Sequence, residues 1–399
     1  MLTEVLSVAY QASLLRDEDR WVNFRLAIAR PGPFASPSPD ADPTEHHRLR
    51  FDRPRPLDAH ELRRLAPAAA LQRAMIGVMD DGPRGLQIWG MVRTGASWLQ
   101  ALEAGRTLEG RAADGLAVVA SGPGRLRVSL DGVTLAKLTG GVLSGASPDV
   151  FDSRWLPAAC ADDRREIFDA HLGARERSGP APDPGILRVL DQQLVRRIIA
   201  RVRHARHGGT IVLLPQSRAD EVATQGRPIA LKYRFVDDAS RRRYRALQLR
   251  LLQRLSLHAE HGDGRMPDWR SGPGCGDPVL AAIDEALLEL AHTIAALAEV
   301  DGAVVVSKQF EIMGFGGEIL GDLPDVPTVL RALDLEGDER VAESTEGVGT
   351  RHRSLYRLCA AVPDALGIVV SQDGGVRLVA SKNGAVTYWD QLGTAPMEI

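Results

Sequence analysis

The sequence is poor in the features that mark membrane, secreted and metal-binding proteins. Its 399 residues contain three cysteines, Cys160, Cys275 and Cys359, whose wide separation matches no spacing of metal ligands. No apolar run approaches the roughly 18 residues that a membrane span requires. The first ten residues, MLTEVLSVAY, carry an acid instead of the basic leader of a signal peptide. We therefore expect free thiols, no membrane contact and a cytoplasmic location.

An excess of basic charge is also missing. Lys and Arg number 49 against 52 Asp and Glu, so the formal net charge is −3. A broad electropositive surface for nucleic acid is not expected at this balance. Hydrophobic residues make up 44% and charged residues 25%, which is ordinary for globular proteins. The length suffices for two or three domains, each with its own core.

The amino-terminal part combines a helical pattern with short strand-like runs. Residues 57–78 have helical spacing, with Asp58 and Glu61 placed as a capping pair. The alternation in RLRVSL and the dipeptide Asp131-Gly132 predict a hairpin. A Pro- and Gly-rich linker near residue 180 is taken as the boundary. Residues 1–180 are thus expected to form a smaller α+β domain with antiparallel strands.

In the carboxyl-terminal part, strand-like runs alternate with amphipathic helices. TIVLLP, IALKYRF and VDGAVVVS have the composition of strands, and GIVVS with VRLVA predicts a final hairpin. A helix predicted over DPVLAAIDEALLELAHTIAALAEV, residues 277–300, carries one apolar stripe: Ile283, Leu287, Leu290, Ile294 and Leu297. This alternation predicts an α/β domain over residues 185–399, with a central sheet flanked by helices.

The segment GVGTRHR, residues 347–353, precedes a run with helical spacing. A helix amino terminus carries unpaired N–H groups and partial positive charge, so Arg351, His352 and Arg353 there oppose the helix dipole. A bound polyanion such as a triphosphate would offset that repulsion, and arginine suits phosphate oxygens. A solvated basic turn is the alternative for this motif alone.

Two further segments carry candidate chemistry. Asp301-Gly302 opens a strand, which places a carboxylate at a sheet edge where a divalent cation could bind. An Asp-Gly turn is also common punctuation between elements. GFGGEIL, residues 314–320, has three glycines in four residues, which permits close approach of a base or sugar but equally suits a plain hairpin loop.

Taken together, the three segments are more specific than any one of them. Asp301-Gly302-Ala303, GTRHR at residues 349–353 and the following GIVVSQ resemble the diadenylate cyclase (DAC) domain, which joins two ATP molecules into cyclic di-AMP. The resemblance covers roughly residues 185–392. It implies the fold of that domain, with a mixed sheet between helices.

The resemblance implies a role for each matching residue. Asp301 would bind Mg²⁺ or Mn²⁺ and help to activate a ribose 3′-hydroxyl, and Ile319 falls where the family packs a leucine against adenine. Arg351, His352 and Arg353 would hold the triphosphate. The other nucleotide-binding residues implied are Gly302, Ala303, Gly349, Thr350 and Ser371.

One site holds one ATP, so two copies must meet to supply both reactants. An isologous homodimer would place two identical sites face to face. The soluble residues in front of the cyclase are interpreted as a regulatory or sensor domain for an unknown small molecule or protein. Trp89, Trp98 and Trp155 could line its pocket, although buried core aromatics are the favoured interpretation.

Two departures from the family pattern leave an alternative open. Gln372 stands where members often carry glutamate, and the insert between the two motifs is longer than usual. A degenerate cyclase fold that binds ATP or a cyclic dinucleotide without turnover is the second hypothesis. The third is a nucleic-acid-associated protein that uses the arginine-rich residues 240–254, which the net charge disfavours.

Overall fold

The computed structural model describes residues 1–30, 47–69, 74–93, 116–130, 133–145, 149–174, 182–205, 207–261, 277–372 and 375–390. Contacts divide the chain into two compact units, one over Met1–Ser147 and one over Pro148–Thr394. None of the helices in these ranges is both long and apolar enough to cross a membrane.

The first unit is an α+β domain built on an eight-stranded sheet. Within the described residues its helices are α1 (Leu2–Ser13) and α2 (Ala59–Leu65). Its strands are β1 (Arg16–Asp17), β2 (Arg20–Trp21), β3 (Phe24–Ile28), β4 (His47–Pro56), β5 (Ala74–Asp80), β6 (Leu86–Arg93), β7 (Leu116–Gly122), β8 (Arg125–Leu130), β9 (Val133–Thr139) and β10 (Val142–Gly145). The sheet order is β10-β9-β8-β7-β3-β5-β6-β4, with β3 and β5 as its parallel pair.

The predicted helix over residues 57–78 is wrong for the described residues beyond Leu65, which are 66–69 and 74–78. Asp58 does cap α2, since its side chain accepts a hydrogen bond from the Glu61 N–H at 2.8 Å. The helix then ends before Pro67, and MIGVM in β5 is a buried strand between β3 and β6. Proline blocks helix continuation and the β-branched residues favour the sheet, so the apolar spacing alone was misleading.

The predicted strands of the first unit are confirmed. Leu130 pairs with Val133 across β8 and β9, although the turn Asp131-Gly132 itself lies outside the described residues. Trp89 is a core residue, 2% exposed, and its Nε1 donates to the Ala29 carbonyl at 2.8 Å. Trp98 lies outside the described residues.

The second unit contains a nine-stranded mixed sheet between helices. Its helices are α3 (Trp155–Ala158), α4 (Ala161–Ala174), α5 (Gly185–Ala205), α6 (Gln216–Gln225), α7 (Arg243–His261), α8 (Pro278–Leu297) and α9 (Thr350–Ala361). Its strands are β11 (Gly209–Leu214), β12 (Ile229–Arg234), β13 (Ala303–Ser307), β14 (Ile312–Ile319), β15 (Thr328–Ala332), β16 (Arg340–Ser344), β17 (Leu366–Val370), β18 (Val376–Lys382) and β19 (Ala385–Asp390). The order is β12-β14-β13-β11-β17-β18-β19-β15-β16.

The two faces of this sheet are buried under different helices. Ile211 and Leu213 of β11 belong to the core formed with α5, α7 and α8, whereas Val212 and Leu214 belong to the core formed with α6 and α9. Successive strand residues point to opposite faces, so a strand covered on both sides is a continuous apolar run such as TIVLL. The predicted mixed sheet flanked by helices is confirmed.

Residues 149–174 pack within the second unit. Trp155 stacks on Trp389 with ring centroids 4.4 Å apart, and both indole N–H groups donate to the Leu335 carbonyl, at 3.1 and 3.2 Å. The second compact unit therefore starts earlier in the chain than the linker near residue 180. Residues 175–181 of that linker lie outside the described residues.

A buried polar cluster under α5 makes a pH-dependent contribution to stability. Asp191 accepts hydrogen bonds from the Tyr244 hydroxyl at 2.8 Å and from Gln248 Nε2 at 3.2 Å, and it pairs with Arg164 at 3.3 Å. Burial raises the pKa of Asp191 from 3.8 to about 6 in spite of these partners. The folded chain therefore holds a proton that the unfolded chain releases between pH 4 and 6.

We expect stability to fall as pH rises through this window, and Asp191→Asn to remove that part of the fall. Because the pKa of Asp191 is raised from 3.8 to about 6, ionising this carboxyl in the folded chain costs about 3 kcal/mol more than in the unfolded chain. Urea unfolding at pH 4, 5, 6 and 7 measures the free energy of unfolding of both proteins. The value for the variant minus the value for the parent should increase as the pH rises. Asp162→Asn, at a side chain that is 91% exposed, is the control. A difference that is constant with pH would contradict the assignment.

Candidate functional site

The predicted site residues converge at the amino ends of two parallel strands. β11 and β13 pair with Thr210 opposite Ala303, so Gly208 and Asp301-Gly302 precede their strands at the same edge. β17 runs antiparallel to β11, with Gly209 opposite Val370, which brings Ser371 to this edge as well. Three chain segments that are distant in sequence thus meet here.

Arg351 connects these segments directly. It lies in the first turn of α9, which Gly349 precedes as N-cap and which contains no acidic residue. Its Nη1 donates to the His207 carbonyl at 3.2 Å, and its Nη2 lies 3.4 Å from Asp301 Oδ1. A Cβ at Gly208 would come within 2.9 Å of Nη1, so glycine leaves the room that the guanidinium occupies.

Asp301 is the exposed partner of this ion pair. Its side chain is 96% exposed, against 33% for Arg351. An exposed pair contributes at most about 1 kcal/mol, because water and salt screen it. The contact therefore holds Arg351 and Asp301 close together but is weak. An anion that binds Arg351, or a cation that binds Asp301, can replace it.

The backbone of Gly302 packs directly against the backbone of Gly316 and Gly317 in β14. Gly302 has φ +108°, and a Cβ there would lie 2.6 Å from the carbonyl carbon of Gly316. Ala303 pairs with Gly317, and the register between β13 and β14 shifts just beyond this pair. The glycines predicted to allow close approach thus allow the backbone strands themselves to approach each other.

The remaining predicted residues surround this centre. Thr350 and Arg353 are exposed, and His352 is half-buried with its ring 6.4 Å from that of Tyr356. The Ser371 N–H and hydroxyl donate to the Gly375 carbonyl at 2.8 and 3.1 Å, which closes the turn after β17. Ile319 lies farther along β14, opposite Ile229, and packs against the same core as Ala303.

Sequence reasoning missed three neighbours of the site. His207 and Gly208 precede β11, and in the sequence the pair Gly208-Gly209 indicates only the end of a helix. Tyr233 of β12 was interpreted only as a strand residue, yet a Cβ at Gly316 would lie 3.4 Å from its ring and 3.7 Å from the Asp301 carbonyl oxygen. Tyr233 is 46% exposed and stacks on Phe315 at 4.7 Å, so it adds a flat apolar surface.

The residues of the site offer too few ligands to hold a metal ion unless a substrate supplies the others. The described residues contain no group of three or more His, Cys, Asp or Glu that could hold one. Asp301 offers one carboxylate beside Arg351 at the start of α9. Mg²⁺ is commonly held by one or two carboxylates together with substrate phosphates, so Asp301 suits a metal that arrives with ATP.

The thiols and the arginine-rich helix do not contribute to this site. Cys160 and Cys359 are free, and burial raises the pKa of each thiol to about 12, whereas Cys275 lies outside the described residues. Most arginines of residues 240–254 pair with acids within the second unit. The pairs are Arg241 and Arg242 with Glu311, Arg243 with Glu289, Arg245 with Glu166, and Arg254 with Asp277.

Comparison with known families points to the amino-terminal part of the chain. Residues 1–93 match the model of a family described as "Probable sensor domain DACNV", a domain named for the amino-terminal region of diadenylate cyclases. No curated protein matches the chain. The first 93 residues are thus similar to a sensor domain that is associated with diadenylate cyclases.

Proposed function

We propose that residues 185–399 form a diadenylate cyclase domain that condenses two ATP molecules into cyclic di-AMP and two pyrophosphates. The observation that carries this proposal is the contact of Arg351 Nη2 with Asp301 Oδ1 at 3.4 Å. It joins the two motifs of the resemblance, although 50 residues separate them. The match of residues 1–93 to a sensor domain associated with such enzymes supports the same proposal.

The start of α9 would bind the triphosphate. A helix amino terminus carries partial positive charge, so the α9 dipole favours an anion at this position. Arg351 would exchange the Asp301 carboxylate for phosphate oxygens, with His352 and Arg353 completing the set. Because that carboxylate is 96% exposed, its release from Arg351 costs little.

Asp301 would then be free for its own roles. Together with the phosphate oxygens it would hold Mg²⁺ or Mn²⁺, which neutralises phosphate charge and polarises the α-phosphoryl group. The backbone of Gly302 and Ala303 would lie against the nucleoside, and Ile319 would pack against adenine. Thr350 and Ser371 would add hydrogen bonds to the nucleotide.

The reaction consists of two in-line displacements. The ribose 3′-oxygen of each ATP attacks the α-phosphorus of the other, a new P–O ester bond forms, and the bond to the bridging oxygen of the β-phosphate breaks. The hydroxyl proton passes to the Asp301 carboxylate and from there to water, and Arg351 and Arg353 stabilise the charge on the departing pyrophosphate. Catalysis of this kind is chiefly positioning and charge stabilisation.

Two copies of the chain are needed, because each site holds one ATP. A two-fold axis places two identical sites face to face, so that each 3′-hydroxyl meets the α-phosphate bound by the other copy. The active species would thus be a homodimer, and a monomer would bind ATP without turning it over.

The test is to incubate the full chain with ATP and either Mg²⁺ or Mn²⁺, and to quantify cyclic di-AMP and pyrophosphate by mass spectrometry. We expect both products in a ratio of one to two, with a specific activity that rises with protein concentration until the dimer is saturated. Saturable ATP binding without product would overturn the proposal in favour of the binding sensor that Gln372 leaves open. A specific activity that stays constant as the protein is diluted to concentrations at which it is monomeric would overturn the dimer requirement.

A further inference from the structure

A cavity of about 670 Å³ lies at the opposite ends of the two parallel strands that begin at the candidate site. β11 and β13 still pair at Leu214 and Ser307, where they end. The chain then continues into Gln216 of α6 and into the β13–β14 turn, and both segments line the cavity. In α/β sheets, ligands bind in the crevice at the carboxyl ends of parallel strands, and this cavity has that location.

The floor of the cavity is a fixed and buried polar network. Arg241 and Glu311 side chains are each 6% exposed and pair at 2.7 Å. Gln216 Nε2 donates to Glu311 Oε2 at 2.8 Å. Gln216 Oε1 is also buried, and it has no hydrogen-bond partner among the described residues. A buried acceptor without a partner is unfavourable, and a ligand N–H or O–H group would satisfy it once a small rotation of the Gln216 side chain brings Oε1 to the cavity surface.

Arginines on α7 and the turn before it are accessible from the cavity. The Arg242 and Arg245 side chains are 49% and 34% exposed, and they pair with Glu311 at 3.0 Å and Glu166 at 2.9 Å. Arg242 also donates to Asp237, and Arg245 to Gln309 Oε1 at 3.3 Å. The first turn of α7 contains no acidic residue, so its dipole adds to their positive potential. A guanidinium offers five donors, which allows it to bind a ligand carboxylate beside its present partner.

The equal numbers of positive and negative side chains in the lining favour one class of ligand over another. Four arginines and four acidic residues line the cavity, together with Phe235, which is 41% exposed. Because the two signs are equal in number, the lining has no net positive charge to offset the several negative charges of a polyphosphate. A zwitterion carries both signs of charge and matches a lining of this kind.

We propose that this cavity binds a free amino acid or short peptide. Its carboxylate would lie at Arg242 and Arg245, its ammonium group would donate to Gln216 Oε1 near the acidic side chains, and its apolar part would contact Phe235. The proposal does not depend on the cyclase reaction, since the candidate site lies at the other ends of β11 and β13.

Calorimetric titration of the full chain tests the proposal. The probes are the twenty common L-amino acids and the dipeptide L-alanyl-L-phenylalanine. For the tightest of them, the N-acetyl and the carboxamide derivatives each remove one charge. We expect saturable binding of at least one zwitterion, and at least about tenfold weaker binding of both derivatives. Absence of binding by all probes would overturn the proposal, and equal binding of the N-acetyl derivative would indicate a simple anion site instead.

Variants locate the binding to this cavity. Arg242→Gln with Arg245→Gln is expected to weaken binding at least about tenfold. Gln216→Met keeps the ion pairs of the floor and should also weaken binding, so a folding defect of the double variant would not decide the outcome. Arg250→Gln, an exposed position on the same helix outside the lining, is the control and should bind as the parent does. Unchanged binding in both cavity variants would overturn the assignment.

Discussion

Replacing Asp301 by asparagine is expected to reduce the formation of cyclic di-AMP by at least about a thousandfold while ATP affinity stays within about threefold of the parent. Asparagine has nearly the same shape, so the backbone at Gly302 is not disturbed. It lacks the charge that would hold a divalent cation and accept the proton of the 3′-hydroxyl. Arg351 loses an exposed partner at 3.4 Å, and it would remain available to phosphate.

The measurement separates chemistry from binding. Product formation is followed by mass spectrometry, and ATP affinity is measured by calorimetry on the same preparations. Asp325→Asn, an exposed carboxylate in the insert before α9, is the matched control and should retain both activities. Product at the parental rate from Asp301→Asn would remove this carboxylate from the mechanism, and loss of ATP binding with the chemistry would show that it acts in binding.

The local part of the site was predictable from the sequence because its residues are adjacent in the chain. Gly349 to Arg353 do begin a helix, and Asp301-Gly302 do precede a buried strand. That these two segments meet was implied by the resemblance to a family and not by periodicity. The contribution of His207 could not be predicted, since a backbone carbonyl carries no sequence signal.

Long-range pairing explains the remaining differences between prediction and structure. The stack of Trp155 on Trp389 joins residues 149–174 to the second unit, and no local pattern at Trp155 indicates that partner. The arginines of residues 240–254 have helical spacing typical of a solvated face, yet Arg241, in the turn before α7, is buried and pairs with Glu311, which lies 70 residues away. Helical periodicity reports which face is apolar, and it does not report which acid will meet a given arginine.

The same limit applies to the helix predicted over residues 57–78. A 3.6-residue period can continue by chance through a strand when alanine and methionine fill it. Pro67 and the β-branched core of β5 were the stronger signals, and pairing with β3 and β6 made them decisive. Pairing with a strand on each side can thus make a segment a β-strand although its apolar residues have helical spacing.

Gly302→Ala is expected to lower the free energy of unfolding of the second unit by about 2–5 kcal/mol and to abolish product formation. Two effects add at this position. A side chain rarely adopts φ +108°, and the new Cβ would lie 2.6 and 2.8 Å from the backbone carbon atoms of Gly316. Backbone atoms in a paired strand cannot move aside as a flexible side chain can, so β13 and Asp301 would have to shift.

Two other glycines separate these effects. Gly347→Ala also has a left-handed backbone, φ +79°, but meets nothing within 4 Å, so it should cost only the conformational strain, about 1–2 kcal/mol. Gly321→Ala has neither a left-handed φ nor a close neighbour and should change stability by about 1 kcal/mol or less. Urea unfolding and product formation are measured for all three variants. A cost for Gly302→Ala no greater than that for Gly347→Ala would mean that the close packing of Gly302 on Gly316 does not hold Asp301 in place.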